Sequence, residues 1–243
     1  TRVSYARGLP TLSEMAEATM LVTEPTGGQR GVRAEYFSNG DLEGTPTVSR
    51  LEPRINFSRQ ARLFPEGMLS ARWAGYYVAA SQGEHEIFAT STGEDGGFYR
   101  LYVDDQQVFD NWSRQRALVS VATLTLSPGA HKIVLEQRAR VRSSRLGTRM
   151  QLGILRRGAM IDEATKKLAA QADAVVLAVG FDPATEAEGA DRTFRLPPGQ
   201  EELIREVAAA NRNTIVVLTS GGSVDMNSWL GRVPALIEAW YPG

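Results

Sequence analysis

The spacing of apolar residues divides the chain into a short first segment, a long middle segment and a last segment. In the middle segment, residues 28–157, apolar and polar residues alternate over short runs, and turn residues separate the runs. Because the side chains of a strand point alternately to its two faces, this alternation predicts β-strands. Examples are the runs 85–90, 98–103 and 131–136. Strands spaced this closely favour an all-β barrel or sandwich.

A hairpin is predicted within this middle segment. The runs 98–103 and 107–110 flank Asp104-Asp105, and aspartate is common in tight turns. We therefore expect Asp104 and Asp105 to form a plain turn rather than a pair of metal ligands.

In the last segment, residues 158–243, the apolar spacing becomes helical. Two sets of residues recur at intervals of three and four: Ile161, Ala164, Leu168 and Ala172, and then Leu203, Ile204, Val207 and Ala208. Apolar runs at 174–179 and 214–219 predict buried strands, and 235–240 is a further apolar run. Helices that alternate with strands indicate a mainly parallel α/β sheet with right-handed crossovers.

The first segment, residues 1–27, is short and mixed. Residues 3–6 have the pattern of a strand, and the Pro- and Gly-rich run 24–28 has that of a linker. The last segment is small for a complete α/β domain, so we expect strand 3–6 to join its sheet. The predicted fold is thus multi-domain, with an all-β domain inserted into an α/β domain that is incomplete in this chain.

Composition narrows the classes of function. The 243 residues carry a formal net charge of -1, which gives no electrostatic reason to expect nucleic acid or an anionic membrane as partner. No apolar run approaches the roughly 20 residues that span a bilayer. The chain has no cysteine, which excludes thiolate nucleophiles, disulfides and cysteine-based zinc sites. His85 and His131 have no partner at metal-ligand spacing, so we expect no histidine-based zinc site. No metal and no cofactor are expected.

Candidate chemistry lies in an acidic loop, residues 185–192, that follows the predicted strand 174–179. It carries Glu186, Glu188, Asp191 and Arg192. Open α/β sheets bind ligands beyond the carboxyl ends of their strands, where these side chains would project. A solvated surface loop is the alternative that this pattern alone leaves open.

The acidic loop also resembles a known sequence. Glu188-Gly189-x-Asp191-Arg192 is similar to the acid/base loop in the C-terminal α/β domain of glycoside hydrolase family 3, the β-glucosidase-type enzymes. Further matching stretches lie at residues 196–197, 200–204, 216–222 and 239–243.

The middle segment resembles the β-domain first recognised in anthrax protective antigen. Matching stretches occur in the same order at residues 31–37, 55–57, 70–76, 94–96, 101–104 and 110–112. Some family 3 enzymes are similar in carrying such a domain inside their C-terminal domain, which implies the domain order predicted above. The family's N-terminal (β/α)-barrel, with its aspartate nucleophile, has no counterpart in this chain.

The resemblance implies a segment of a retaining, exo-acting β-glucosidase that hydrolyses terminal β-linked glucose from oligosaccharides. Glu188 would be the general acid/base, with Glu186 as the alternative, and Asp191 and Arg192 would support the loop as an ion pair. The segment alone would be inactive because the nucleophile belongs to the barrel domain. An extracellular or periplasmic location is expected, with any export signal upstream or absent. The alternative is a non-catalytic carbohydrate-binding module of the adhesin or lectin type.

The resemblance also bears on calcium and on aromatic side chains. Lectin-type relatives bind calcium through two adjacent aspartates, where this chain has Glu94-Asp95, so we expect no calcium site. Trp73 and Trp112 could stack on sugars, but aromatic residues within strands usually belong to the core, and we expect that here.

Overall fold

The computed structural model describes residues 2–57, 64–92, 98–113, 118–139, 149–187 and 192–241. The helices are α1 (Leu12–Ala18), α2 (Glu163–Gln171) and α3 (Gln200–Ala210), with a 3₁₀ turn at Leu230–Arg232. The strands of the first two segments are β1 (Leu21–Val22), β2 (Val32–Phe37), β3 (Val48–Glu52), β4 (Ser70–Ala79), β5 (Gly83–Thr92), β6 (Phe98–Val103), β7 (Gln106–Asp110), β8 (Val119–Leu126), β9 (Gly129–Arg138) and β10 (Arg149–Arg156). The strands of the last segment are β11 (Val175–Gly180), β12 (Thr214–Thr219) and β13 (Ala235–Glu238).

Strands β1 to β10 form two antiparallel sheets, which we call the sandwich. One sheet has the order β3-β2-β4-β9-β6-β7, with β1 also paired to β4, and the other has the order β10-β5-β8. The sheets share one core, in which Trp73 of β4, Ile87 of β5 and Leu152 of β10 are buried together. Among the described strands neither sheet closes on itself, so of the two predicted β architectures the strands form a sandwich and not a barrel.

The predicted hairpin is confirmed. Strands β6 and β7 pair across Asp104 and Asp105, whose φ angles of 50° and 63° are those of a two-residue turn that follows the twist of the strands. The Lys132 backbone N–H donates to Asp104 at 2.8 Å, and Lys132 Nζ donates to Asp105 at 2.8 Å. Both carboxylates therefore tie the turn to β9.

The last segment forms the predicted parallel sheet, in the order β11-β12-β13. We call this sheet and the helices α2 and α3 the α/β part. Helix α2 begins where Asp162 accepts a hydrogen bond from the Thr165 backbone N–H at 2.6 Å. Helix α3 packs Ile204 against Val216 and Leu218 of the sheet. No helix within the described ranges is long and apolar enough to cross a bilayer.

The predicted strand over residues 3–6 is wrong. Val3 and Tyr5 are 87% and 86% exposed, and the sheet order of the α/β part includes no strand from this region. A strand needs a neighbour to pair its backbone groups, and a four-residue pattern does not show whether one is available. The first regular element of the described chain is α1, which begins at Leu12 and which Thr11 and Glu14 cap reciprocally in a capping box.

The antiparallel sheet of the sandwich also contains residues from the first segment. Because β1 pairs with β4, the antiparallel sheet already includes Leu21, ahead of the boundary at residue 28. Helix α1 also packs on the sandwich, where Met15 and Ala16 are buried with Phe88. The division into domains at 27/28 and 157/158 stays a prediction.

Candidate active site

The described part of the acidic loop begins directly after β11. Strand β11 ends at Gly180, whose φ is 138° and where a Cβ would lie 2.0 Å from the Thr219 carbonyl oxygen, so only glycine fits. A tight turn follows, in which the Thr185 hydroxyl donates to the Asp182 carboxylate at 2.8 Å and accepts from the Asp182 backbone N–H at 2.9 Å. This turn brings Glu186 back over the ends of the parallel strands.

Glu186 is the point where residues following all three parallel strands meet. Glu186 itself follows β11, Gly221 follows β12 and Tyr241 follows β13. Tyr241 OH donates to Glu186 Oε2 at 2.6 Å, and the Gly221 N–H lies 3.5 Å from the same oxygen. A Cβ on residue 221 would lie 2.8 Å from Glu186 Oε1 and 2.9 Å from a ring carbon of Tyr241, so a larger residue there would displace these side chains.

Arg192 fixes the other end of the acidic loop. Its Nε lies 2.9 Å from Glu186 Oε2, and its Nη1 donates to the Ser223 carbonyl at 3.0 Å. The guanidinium also stacks on Phe181, with Cζ 4.1 Å from the ring centroid. The two residues that bracket positions 187–191 are therefore joined by an ion pair.

These contacts keep Glu186 ionised. Burial raises the pKa of Glu186, but the hydrogen bonds from Tyr241 and Arg192 lower it by more than burial raises it. The pKa of Glu186 therefore falls below the ordinary value. Burial and the hydrogen bond to Glu186 raise the pKa of Tyr241 to about 12. The phenol therefore keeps its proton and donates a hydrogen bond to Glu186. A carboxylate held in this way is a poor proton donor at neutral pH.

The structure brings two of the four predicted site residues together, namely Glu186 and Arg192. Glu188 and Asp191 lie outside the described residues, and so does the ion pair expected between Asp191 and Arg192. The contribution of Tyr241 was missed. Only the family-like stretch at 239–243 singled out this region, because nothing in the chain's own pattern places Tyr241 beside Glu186.

The other candidates give mixed outcomes. The described residues contain no cluster of three or more metal-ligating side chains, and Glu94 and Asp95 lie outside them. Trp73 is 0% exposed, as expected of a core residue. For Trp112 the core prediction is wrong, because its ring is half-buried between the guanidinium groups of Arg100 and Arg138, 4.3 and 5.0 Å from its centroid.

Comparison with known proteins supplies the remaining observations. The family model for the glycosyl hydrolase family 3 C-terminal domain matches residues 22–243. A β-glucosidase from Rhizobium radiobacter is 35% identical over 234 residues, covering 86% of this chain and 27% of that protein. A probable β-glucosidase I from Aspergillus terreus is 34% identical over 191 residues, covering 70% of this chain and 22% of that protein. A β-glucosidase structure from Kluyveromyces marxianus is 26% identical, with a TM-score of 0.49, over 99% of this chain and 31% of that one. This chain therefore spans only about a quarter of the length of its curated relatives.

Proposed function

Because the chain belongs to the family of glycoside hydrolase family 3 C-terminal domains, we propose that it supplies the general acid/base of a retaining, exo-acting β-glucosidase. The whole enzyme would remove terminal β-linked glucose from oligosaccharides. The relatives it matches are named β-glucosidases and are several times longer than this chain. We therefore propose that a barrel domain of the same enzyme supplies the nucleophile, and that this segment alone is inactive.

A retaining mechanism needs two carboxyl groups about 5–5.5 Å apart, one as nucleophile and one that acts first as an acid and then as a base. The acid has to hold its proton near neutral pH, so its pKa must be raised. The environment of Glu186 supports the choice of Glu188 over Glu186 as the acid/base. Its ion pair with Arg192 and its hydrogen bond from Tyr241 lower its pKa, which suits a structural carboxylate.

We therefore assign the acid/base role to Glu188, two residues along the same loop, and a positioning role to Glu186. The Glu186–Arg192 ion pair joins the described residues on either side of the positions that carry Glu188 and Asp191, which supports a positioning role for Glu186. In the first step Glu188 would protonate the departing glycosidic oxygen. In the second step the same carboxylate would remove a proton from the attacking water.

The sandwich supports a second part of the proposal. We propose that residues 28–157 are a protective-antigen-like domain carried by the enzyme, because two antiparallel sheets there enclose one core. We also propose that the enzyme acts outside the cytoplasm, a location with which a chain free of cysteine is compatible.

The assignment is tested by Glu188→Ala in the whole enzyme. Hydrolysis of alkyl β-glucosides should fall by about 10²–10⁴-fold, because their departing oxygen needs a proton. Glucosides of acidic phenols should lose much less in the first step. Azide, which needs no base, should restore their turnover and form a β-glucosyl azide.

Glu186→Ala is the matched control from the same loop. It should lower activity on alkyl β-glucosides by less than Glu188→Ala does, because the acid/base is still present, and it should not respond to azide. Azide rescue of the Glu186 variant, with none for the Glu188 variant, would transfer the acid/base role to Glu186.

A further inference from the structure

The residues that follow the acidic loop are held by the sandwich. We call residues 192–199 the anchor segment, which runs from Arg192 beside Glu186 to Gly199 at the start of α3. We propose that Glu86, on strand β5 of the sandwich, is a positioning residue for the acid/base loop and acts through Arg195 and Gly199. This inference rests on the proposed function.

Glu86 is a buried charge in the middle of a sheet. It lies on the central strand β5, opposite Leu155 of β10 and Thr123 of β8, and is only 4% exposed. Burying a carboxylate is costly unless it is paired and hydrogen-bonded, and an apolar side chain would pack there at lower cost. The partners of the Glu86 carboxylate therefore indicate its structural role.

Those partners both belong to the anchor segment. The Gly199 N–H donates to Glu86 Oε1 at 2.5 Å, and Arg195 Nη2 lies 3.8 Å from Glu86 Oε2. Arg195 Nη2 also lies 3.5 Å from the Thr123 hydroxyl on β8, and Arg195 Nε lies 3.4 Å from Glu201 Oε1 on α3. Arg195 thus contacts two strands of the sandwich, β5 and β8, and the first turn of α3.

The anchor segment is held at its two ends, whereas residues 193–194 between them are exposed. Residues 196–199 are all buried, and a Cβ on Gly199 would lie 3.0 Å from a Leu9 methyl carbon. At its other end, Arg192 is fixed by Glu186 and the Ser223 carbonyl. A shift of the sandwich relative to the parallel sheet would therefore move the residues that adjoin the acid/base loop.

Glu86 transfers no proton in this scheme. Its effect is geometric, because a misplacement of about 1 Å can cost about 10²-fold in rate when a catalytic group must be precisely oriented. The steps that need the acid/base should suffer, whereas expulsion of a leaving group that needs no proton should be largely spared.

The test compares two substrates of the whole enzyme, an alkyl β-glucoside and the β-glucoside of an acidic phenol. The measured quantity is the ratio of their kcat/KM values, phenol over alkyl. A smaller amount of folded enzyme lowers both values equally, so the ratio is insensitive to stability. Glu86→Ala should raise the ratio about 10-fold or more. Glu86→Gln should raise it less, because the amide oxygen still accepts from Gly199.

Burial raises the pKa of the Glu86 carboxyl above its ordinary value. Removing the charge in Glu86→Gln relieves that cost, so this variant should fold even if Glu86→Ala does not. Arg195→Gln gives an independent measurement from the other side of the contact and should also raise the ratio.

The matched control is Glu136→Gln. Glu136 is also 4% exposed and also lies in the sandwich, but it pairs with Arg72 and Arg100 on the other sheet. Its ratio should stay within about twofold of the wild-type ratio. A ratio that rises equally in Glu136→Gln would show a general effect of lost charge and overturn the inference.

The Glu188→Ala variant distinguishes a failure of the proposed function from a failure of the positioning role of Glu86. If it leaves the ratio unchanged, the proposed function is wrong. If it raises the ratio while both Glu86 variants stay within twofold of wild type, the proposed function stands and the positioning role of Glu86 is wrong.

Discussion

The sandwich and the α/β part bury their apolar residues in different ways. In the sandwich the two sheets cover each other, and Trp73, Ile87 and Leu152 are at most 1% exposed. In the α/β part α3 covers one face of the sheet, whereas Val176 and Ile237 on the opposite face are 69% and 54% exposed. Parallel sheets usually have both faces covered. The sandwich therefore encloses its core with its own two sheets, and we predict that the exposed face of the α/β part is covered by residues of the proposed whole enzyme.

The largest expected effect is in the core of the sandwich. Trp73 is fully buried and packs against Tyr36 and Phe57, with ring centroids 6.2 and 5.5 Å away. Trp73→Ala should lower the free energy of unfolding by about 3–5 kcal/mol, because the cavity cannot fully collapse. Urea unfolding of this chain measures it. Trp112→Ala, at the half-buried tryptophan, should cost much less, and equal losses would contradict the description of a single enclosed core.

The second effect concerns the α/β part and depends on pH. The pKa of folded Glu186 lies below its ordinary value of 4.5, so its contribution is fully present above pH 4.5 and disappears as the pH falls through the lowered value. Glu186→Gln should therefore cost about 1–2 kcal/mol at pH 7 and nothing in strong acid. Unfolding free energies measured from pH 7 to pH 3 show this convergence.

Glu163→Gln is the control for that series. Glu163 forms an ion pair with Lys166 but its side chain is 89% exposed, so the variant should stay within about 0.5 kcal/mol of wild type at every pH. A constant difference between Glu186→Gln and wild type over the whole range would mean that the lost contribution is not ionic.

A third, smaller effect has the opposite sign and belongs to the sandwich. His131 Nδ1 lies 2.6 Å from Asp104 Oδ2, and Nε2 lies 2.9 Å from the Ser127 carbonyl, so a protonated ring donates to both. Burial lowers the pKa of His131, but these two bonds raise it by more than burial lowers it. The pKa of His131 therefore lies above its ordinary value of 6.5. The stabilisation is full below pH 6.5 and is lost as the pH rises through the raised value.

His131→Gln should accordingly cost about 1 kcal/mol at pH 5.5 and less at pH 8.5. Asp104→Asn, which removes the other partner of the contact, should show the same trend in unfolding experiments. A cost of His131→Gln that grows with pH would mean that the neutral ring is the stabilising form.

The smallest effect tests the uncovered sheet face. Ile237→Thr in this chain should change the free energy of unfolding by less than about 0.5 kcal/mol, because the side chain is largely exposed. In the whole enzyme the same substitution should cost more if other residues cover that face. Equal small effects in both proteins would remove the suggested difference between the two regions.

Local patterns predicted much of the secondary structure. Alternating residues identified β6 and β7, and the paired aspartates identified the turn between them. The helical spacing that starts at Ile161 predicted α2, which begins at Glu163 because Asp162 caps it. Helix α1 was missed although Thr11 and Glu14 carry the capping-box pattern, and strand 3–6 was predicted from a pattern that has no strand to pair with.

The sequence by itself determined the family, most of the strands and helices, and the presence of an acidic loop after a buried strand. These features depend on short-range periodicity and on local motifs, which neighbouring residues encode. Only the tertiary structure decided that Glu186 meets Gly221, Arg192 and Tyr241, and that Glu86 holds Gly199. These contacts join residues that are far apart in the chain. The first set forms because parallel strands bring their carboxyl ends to one edge of the sheet, and the second forms because β5 of the sandwich lies beside the start of α3.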